Sequence, residues 1–263
     1  MSSVAFCRVL QMDEDVIEQI RTIEGHSARA WPAQTSTSIL GWELRLSPIL
    51  SSKRTNSLNA VTPEAGRFAE ALQTARMICH EQKVPCHVRL HPLGGQEPVD
   101  HLRALGLNGR GETTVEVLDL TDPYSVDQRV VFSDSMSDLW LDTNASTHDH
   151  GETERNGIRD SLASVAIPQG FAVAFDGGVP CAVGRAALDE GLMGIFQIAT
   201  LPSARRKGLG LAVVTSLLEW GQRNAATKAY LQVESGNIAA RNLYEGLGFR
   251  PLYTYDYWTL PPL

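Results

Sequence analysis

The run Arg205-Arg206-Lys207-Gly208-Leu209-Gly210 decides how this chain folds. Before it, Gly194 to Thr200 reads as a strand. After it, Leu209 to Asn224 places Val213, Val214, Leu217, Leu218 and Trp220 at helical spacing. A glycine-bearing loop that opens a helix lets several backbone N–H groups point at one phosphate, with about half a positive charge from the helix dipole behind them. Each charge-assisted hydrogen bond of this kind contributes about 1.5–3 kcal/mol, so a handful would hold a pyrophosphate without any side chain. Two better-known phosphate loops are absent. There is no Gly-x-x-x-x-Gly-Lys-Ser/Thr, and Gly208-x-Gly210 lacks the third glycine of the dinucleotide spacing. Taken alone, the run is equally a helix N-terminus with basic residues on a solvated face.

Outward from this run, the pattern is a mixed α/β sheet. Phe171 to Phe175 and Pro180 to Leu188 are predicted as a hairpin turning at Asp176-Gly177-Gly178. Ala229 to Glu234 is the next strand, Ile238 to Leu247 a helix stopping at Gly248, and Tyr253 to Leu260 a last strand. Upstream, residues 126 to 133 read as a strand, and Met136 to Ala145 and Glu152 to Ala166 as two helices joined through His148-Asp149-His150. These elements form a domain over 121–263.

The first 120 residues echo the plan. A strand at Ser57 to Val61 is followed by Pro63, as the later strand is by Pro202. Helix Phe68 to Gln82, strand Val84 to Leu90 and helix Pro98 to Leu107 then follow, the last ending Leu105-Gly106-Leu107 against Leu247-Gly248-Phe249. An internal duplication explains this. The echo fails at the chemistry: Glu64-Ala65-Gly66-Arg67 has no glycine pair, and Leu102 stands where the second half has Tyr244.

Composition bounds the function. The chain has 263 residues, 43% apolar and 20% charged, and a net charge of −7, which excludes disorder and leaves no basic excess for nucleic acid or an anionic membrane. No apolar run approaches a spanning helix, and the N-terminus carries no secretion signal. Four scattered cysteines, Cys7, Cys79, Cys86 and Cys181, suit reduced thiols in a cytoplasmic protein, and no spacing calls for a metal.

The later sequence Gln232-Val233-Glu234-Ser235-Gly236-Asn237 through Leu243-Tyr244 to Gly248-Phe249 adds a strand end, an Asn opening a helix and a Tyr seven residues on. With Arg205-x-x-Gly208-x-Gly210, it resembles the GNAT superfamily of acyl-CoA-dependent N-acetyltransferases, over about 60 residues and in the family's order. The amino-terminal half resembles that of tandem GNAT proteins whose cofactor loop has degenerated. The resemblance implies two tandem GNAT-like domains of mostly antiparallel sheet flanked by helices: 1–120 without a cofactor loop, and 121–263 catalytic.

It also implies roles. The backbone of Arg205, Arg206, Lys207, Gly208, Leu209, Gly210 and Leu211 would bind the pyrophosphate of acetyl-CoA, with Arg206 and Lys207 free to add charge. The main chain of Ile198, Ala199 and Thr200 would pair with the pantetheine arm, as an added strand does. Asn237 would contact the same arm, and is equally suited to cap its helix. Tyr244 would hydrogen-bond the departing thiolate. Some family members carry a Glu base where this chain has Gln232, so Glu234 is the candidate base, beside Asp256, Glu190, the His148-Asp149-His150 loop and a water chain. The implied activity is acetyl transfer to a primary amine, on a small molecule or a protein, by direct attack in a ternary complex. The alternative is an acyl-CoA sensor that lacks transfer.

The resemblance of the first half to tandem GNAT proteins is carried by one cluster, around Gly41-Trp42-Glu43-Leu44-Arg45 and Arg54-Thr55-Asn56-Ser57. Trp31, Trp42, Arg45, Arg54 and Asn56 gather large and charged side chains in the first half, as a pocket does, or as a buried Trp pair with surface arginines.

Overall fold

The computed structural model describes residues 12–263, so Cys7 lies outside the described residues. In chain order the elements are α1 (Glu14–Ala30), β1 (Thr35–Ile39), β2 (Trp42–Leu46), β3 (Ser57–Ala60), α2 (Phe68–Glu81), β4 (His87–Leu90), α3 (Glu97–Ala104), β5 (Arg110–Asp119) and β6 (Val130–Ser133). They continue as α4 (Asp138–His148), α5 (Glu152–Ala163), β7 (Gln169–Asp176), β8 (Val179–Asp189), β9 (Leu192–Thr200), α6 (Leu209–Arg223), β10 (Lys228–Glu234), α7 (Ile238–Gly246) and β11 (Arg250–Thr259). Among the described residues, no helix is long and apolar enough to cross a membrane.

The chain forms two compact units. Unit 1 is the chain up to Val115 with Val233–Ile238 and Leu252–Leu263, and unit 2 is Glu116–Gln232 with Ala239–Pro251. The last strand, β11, is therefore largely part of unit 1, where Tyr257 pairs antiparallel with Arg89 of β4.

In unit 1 the strand order is β1-β2-β3-β4-β11-β5. Alternation divides the sheet into two unlike faces. Trp42, Leu44, Leu46, Leu58, Ala60, Val88, Leu90 and Trp258 point one way and form the apolar core with Phe68, Ala71, Leu72 and Ala75 of α2 and Val99 and Leu102 of α3. Trp42 packs on Phe68 with ring centroids 5.0 Å apart, which adds a favourable aromatic geometry to the burial. The opposite face is polar, and Glu24 of α1 reaches down to it.

In unit 2 the order is β5-β10-β9-β8-β7-β6. The β6 to β9 neighbours are antiparallel and β9 runs parallel to β10. Helix α6 buries Val213, Val214, Leu217, Leu218 and Trp220, the residues whose spacing predicts it, against β7, β8 and β9. On the other face, Trp140 of α4 stands edge-on to Phe171, 5.2 Å between centroids. Each unit thus repeats strand, helix, strand, helix, with the two strands parallel: β3–α2–β4–α3 in unit 1 and β9–α6–β10–α7 in unit 2.

Candidate active site

The site in unit 2 is built at the end of β9. Opposite β8, the register of β9 slips: Val183 pairs with Ala199 and Arg185 with Phe196, so two residues of β9 stand against Gly184. Gln197, at the slip, has φ +54°, outside the strand region. Such a bulge breaks the ladder and re-aims the following backbone, here Ile198, Ala199 and Thr200. A buried guanidinium fixes it. Arg185 donates through Nε to Gln197 Oε1 at 3.1 Å and through an Nη to Gln169 Oε1 at 3.0 Å, and lies 4.8 Å from the Phe196 ring centre.

Thr200 leads into a short 3-10 turn, Pro202–Ala204, and then the basic loop. Gly208 has φ +76° and precedes α6, whose first turn receives no side-chain cap. With no Cβ, Gly208 takes this conformation at little cost and leaves the first N–H groups of α6 without a protein oxygen from its own cap. Gly210 follows one residue into the helix. A methyl there would sit 3.6 Å from Leu243 Cδ1 and from Thr200 Oγ1, an ordinary contact, so internal packing does not require the glycine. Leu209 is buried and Leu211 exposed.

Arg206 is exposed at φ +63°, but Lys207 is not free: its Nζ pairs with Asp176 Oδ2 at 2.5 Å, and its carbonyl accepts from Arg129 at 2.9 Å. Arg129 therefore brings a guanidinium to the loop that nothing in the local sequence announces. Arg205 donates to the Thr200 carbonyl at 3.4 Å, tying the loop to the strand before it.

The corresponding helix of unit 1 is closed. At the start of α2, the Glu97 carboxylate accepts from the N–H of Gly66 at 2.9 Å and of Phe68 at 3.2 Å. A negative protein group already occupies the place where an anion would gather.

Tyr244 lies on α7, nearly buried, with its ring edge-on to Phe249 at 5.9 Å. Burial first, and the charge of Glu116 second, push its phenol up to about 12, so it is a hydrogen-bond donor at any working pH. Glu116 on β5 is itself buried. Its Oε1 is 3.7 Å from Arg241 Nε, its Oε2 makes no hydrogen bond among the described residues, and burial raises its carboxyl against the pull of Arg241. A glutamate in the run Thr-Thr-Val-Glu-Val-Leu gives no sequence signal of this role; only the sheet brings it to α7.

The other candidates fall as follows. Glu234 is exposed at the end of β10, and its carbonyl accepts from the N–H of Asn237 at 2.9 Å, with both residues in unit 1. Asp256, also in unit 1, accepts from Trp258 Nε1 at 2.7 Å, and burial raises its carboxyl. Glu190, with φ +48°, sits in the turn between β8 and β9, at the opposite end of β9 from Thr200. His148 and His150 stack at 5.2 Å around Asp149; His148 bonds the Asn144 carbonyl and is lowered by burial, and His150 lies 3.7 Å from Glu154. Of the tryptophan–arginine cluster, Trp42 is in the apolar core and Asn56 closes its own loop by bonding Ser47 and Leu50, while Trp31, Arg45 and Arg54 remain together.

A parallel strand pair, a bulge before a phosphate-type loop and a tyrosine on the next helix define the class: this is a GNAT fold. A GCN5-related N-acetyltransferase from Kribbella flavida superposes with TM-score 0.70 at 18% identity, covering 96% of this chain and 98% of that one. A tandem GNAT protein from the clavulanic acid biosynthesis pathway does so with TM-score 0.63 at 12% identity, covering 94% and 95%. The chain belongs to the acetyltransferase family described as Probable histone acetyltransferase Rv0428c C-terminal, which matches residues 17–258. It is similar over nearly its whole length to the Uncharacterized N-acetyltransferase YobR of Bacillus subtilis (strain 168), 25% identical over 92% of this chain and 98% of that protein. A shorter segment, 26% of this chain and 45% of the relative, is 37% identical to the [Ribosomal protein bS18]-alanine N-acetyltransferase of Escherichia coli (strain K12).

Proposed function

We propose that this chain transfers an acetyl group from acetyl-CoA to a primary amine, with unit 2 binding the coenzyme. The observation that carries this reading is the contrast between two helix mouths. That of α6 has Gly208 and no side-chain cap, whereas that of α2 is filled by Glu97. A diphosphate fits the first and is repelled by the second. The residues Arg205 to Leu211 suit the pyrophosphate, and Ile198, Ala199 and Thr200, re-aimed by the bulge, suit the amides of the pantetheine arm.

Acetyl-CoA supplies an activated thioester. The neutral amine attacks its carbonyl carbon, the new C–N bond forms as the C–S bond breaks, the amine gives up a proton, and the thiol leaves. Backbone N–H groups of the bulged strand polarise the carbonyl, and Tyr244 donates a hydrogen bond to the departing sulfur. Against a thiol near pKa 8.5, full proton transfer from a phenol near 12 is uphill by about 5 kcal/mol, so donation without transfer is the role that fits. The base is a proton path to solvent or Glu234, since Gln232 accepts no proton. A protein amine is favoured as acceptor, because the family description and the bS18-alanine relative both name protein substrates and the net charge of −7 attracts basic partners.

The test is thiol release from acetyl-CoA over a panel of polyamines, aminoglycosides and basic peptides, beside calorimetric titration with coenzyme A. Binding with no release across the panel selects the sensor reading, which the absence of a Glu at Gln232 favours. No coenzyme A binding overturns both.

A further inference from the structure

Beyond the acetyl-transfer reading, and independent of it, the polar face of the unit 1 sheet is unexplained. One directly paired row crosses the sheet: Glu43 faces Asn59, Asn59 faces Arg89, and Arg89 faces Tyr257. Arg45 lies on the same face of β2, two residues from Glu43, and His91 follows two residues beyond Arg89. Helix α1 lies over this face. Glu24 takes the Arg89 guanidinium at 2.6 and 3.0 Å, and Arg45 donates to the carbonyls of Ala28 and Trp31.

Stability does not call for such a face. Buried ion pairs rarely outperform apolar packing of equal volume. The cations Arg45, Arg54, Arg89 and Lys53 gather here with Glu24 and Glu43, in a chain whose net charge is negative. The arginines also meet aromatic planes. Arg89 lies 3.6 Å from the centre of Tyr255, Arg54 lies 5.7 Å over Trp31, and Lys53 lies 5.7 Å over Tyr257. Beneath them, Arg89 Nε and both ring nitrogens of the fully buried His91 make no hydrogen bond among the described residues. The rim is accessible: Trp31, Arg54 and Tyr257 are half-buried and Lys53 is exposed.

We propose that this face of unit 1 is a second ligand site, which takes a small planar molecule bearing an oxyanion. Guanidiniums such as Arg54 would hold the oxyanion in a charge-assisted fork, and the rings of Tyr257 and Trp31 would cover the plane. A carboxylate and a phosphate share this chemistry.

The experiment titrates the full chain with benzoate and with inorganic phosphate, by calorimetry and thermal shift, and counts only binding that the rim substitutions weaken, so that an anion at the α6 loop is not read. The variants are Arg54→Met and Tyr257→Leu, both at the rim, where folding is least at risk; far-ultraviolet circular dichroism and unchanged coenzyme A binding report that each is folded. Saturable benzoate binding, weakened at least ten-fold by both substitutions, supports an aromatic carboxylate. Phosphate binding weakened by Arg54→Met alone supports the oxyanion site with a phosphate-bearing occupant. Binding of neither anion, or binding that both folded variants retain, overturns the proposal.

Discussion

Tyr244 and Gly210 are the residues on which function and folding separate. The Tyr244 hydroxyl adds little to packing that Phe would not keep, so Tyr244→Phe is expected to lower kcat about 10²-fold while leaving KM for acetyl-CoA within about two-fold, as measured by steady-state thiol release. Its phenol stands near 12, so the parent has no alkaline limb from this group below about pH 11. Glu116→Gln removes the charge that disfavours the phenolate but not the burial. The limb should therefore move downward, yet stay above the ordinary value of 10, in a kcat–pH profile. Gly210→Ala places a methyl 3.6 Å from its nearest neighbours, so the fold should keep its stability or gain up to about 1 kcal/mol from helix propensity. If a diphosphate approaches that backbone, coenzyme A affinity falls at least ten-fold in the same protein. Thermal melts and calorimetry on this one variant read both quantities.

Two helix mouths decide the element scale. The α6 mouth was legible: Gly208 and Gly210 are local, and the period that predicts the helix is set by its own burial against β7, β8 and β9. The plug in α2 was not legible, because Glu97 is remote in sequence from Gly66 and Phe68. It gives a prediction. The parent should bind one coenzyme A per chain by calorimetry, and Glu97→Ala should still bind one while losing about 0.5–2 kcal/mol of stability in urea, the usual cost of a lost cap. Two per chain in the parent would show that the coenzyme also binds outside the α6 mouth. Elements with a mixed inner face carried no clear period either. Helix α1 turns Glu24, His26 and Ser27 inward among Ile20 and Ile23, and β5 buries Thr113, Thr114 and Glu116, so neither shows the apolar repeat of α6.

At the scale of the whole molecule, the buried charges of unit 1 govern acid stability. Glu24 is opposed by its own burial, but Arg89, His91 and Tyr253 outweigh that and hold its carboxyl down at about 2. A folded value below the unfolded one means a contribution of about 3 kcal/mol that is complete above pH 4.5 and lost as pH falls toward 2. Burial holds His91 down at about 4, so the unfolded chain takes up its proton first, between pH 6.5 and 4, and destabilises folding in the same direction. Urea midpoints should thus fall steadily below pH 6.5, and Glu24→Gln should flatten the part below 4.5 while lowering stability at pH 7, because Arg89 is left buried without its carboxylate. By itself the sequence determined the α/β class, the strands flanking the phosphate-type loop, the mouth of α6 and the place of Tyr244. Each of these follows from a side-chain period or a glycine conformation that neighbours along the chain suffice to express. Only the tertiary structure decided that β11 pairs with β4, that Glu97 fills α2, that Asp176 engages Lys207, and that Arg45, Arg54 and Arg89 share one face with tyrosines from the far end of the chain. A strand's period fixes which side chains share a face but not which strand it will meet, and a charge's partner is chosen by that meeting.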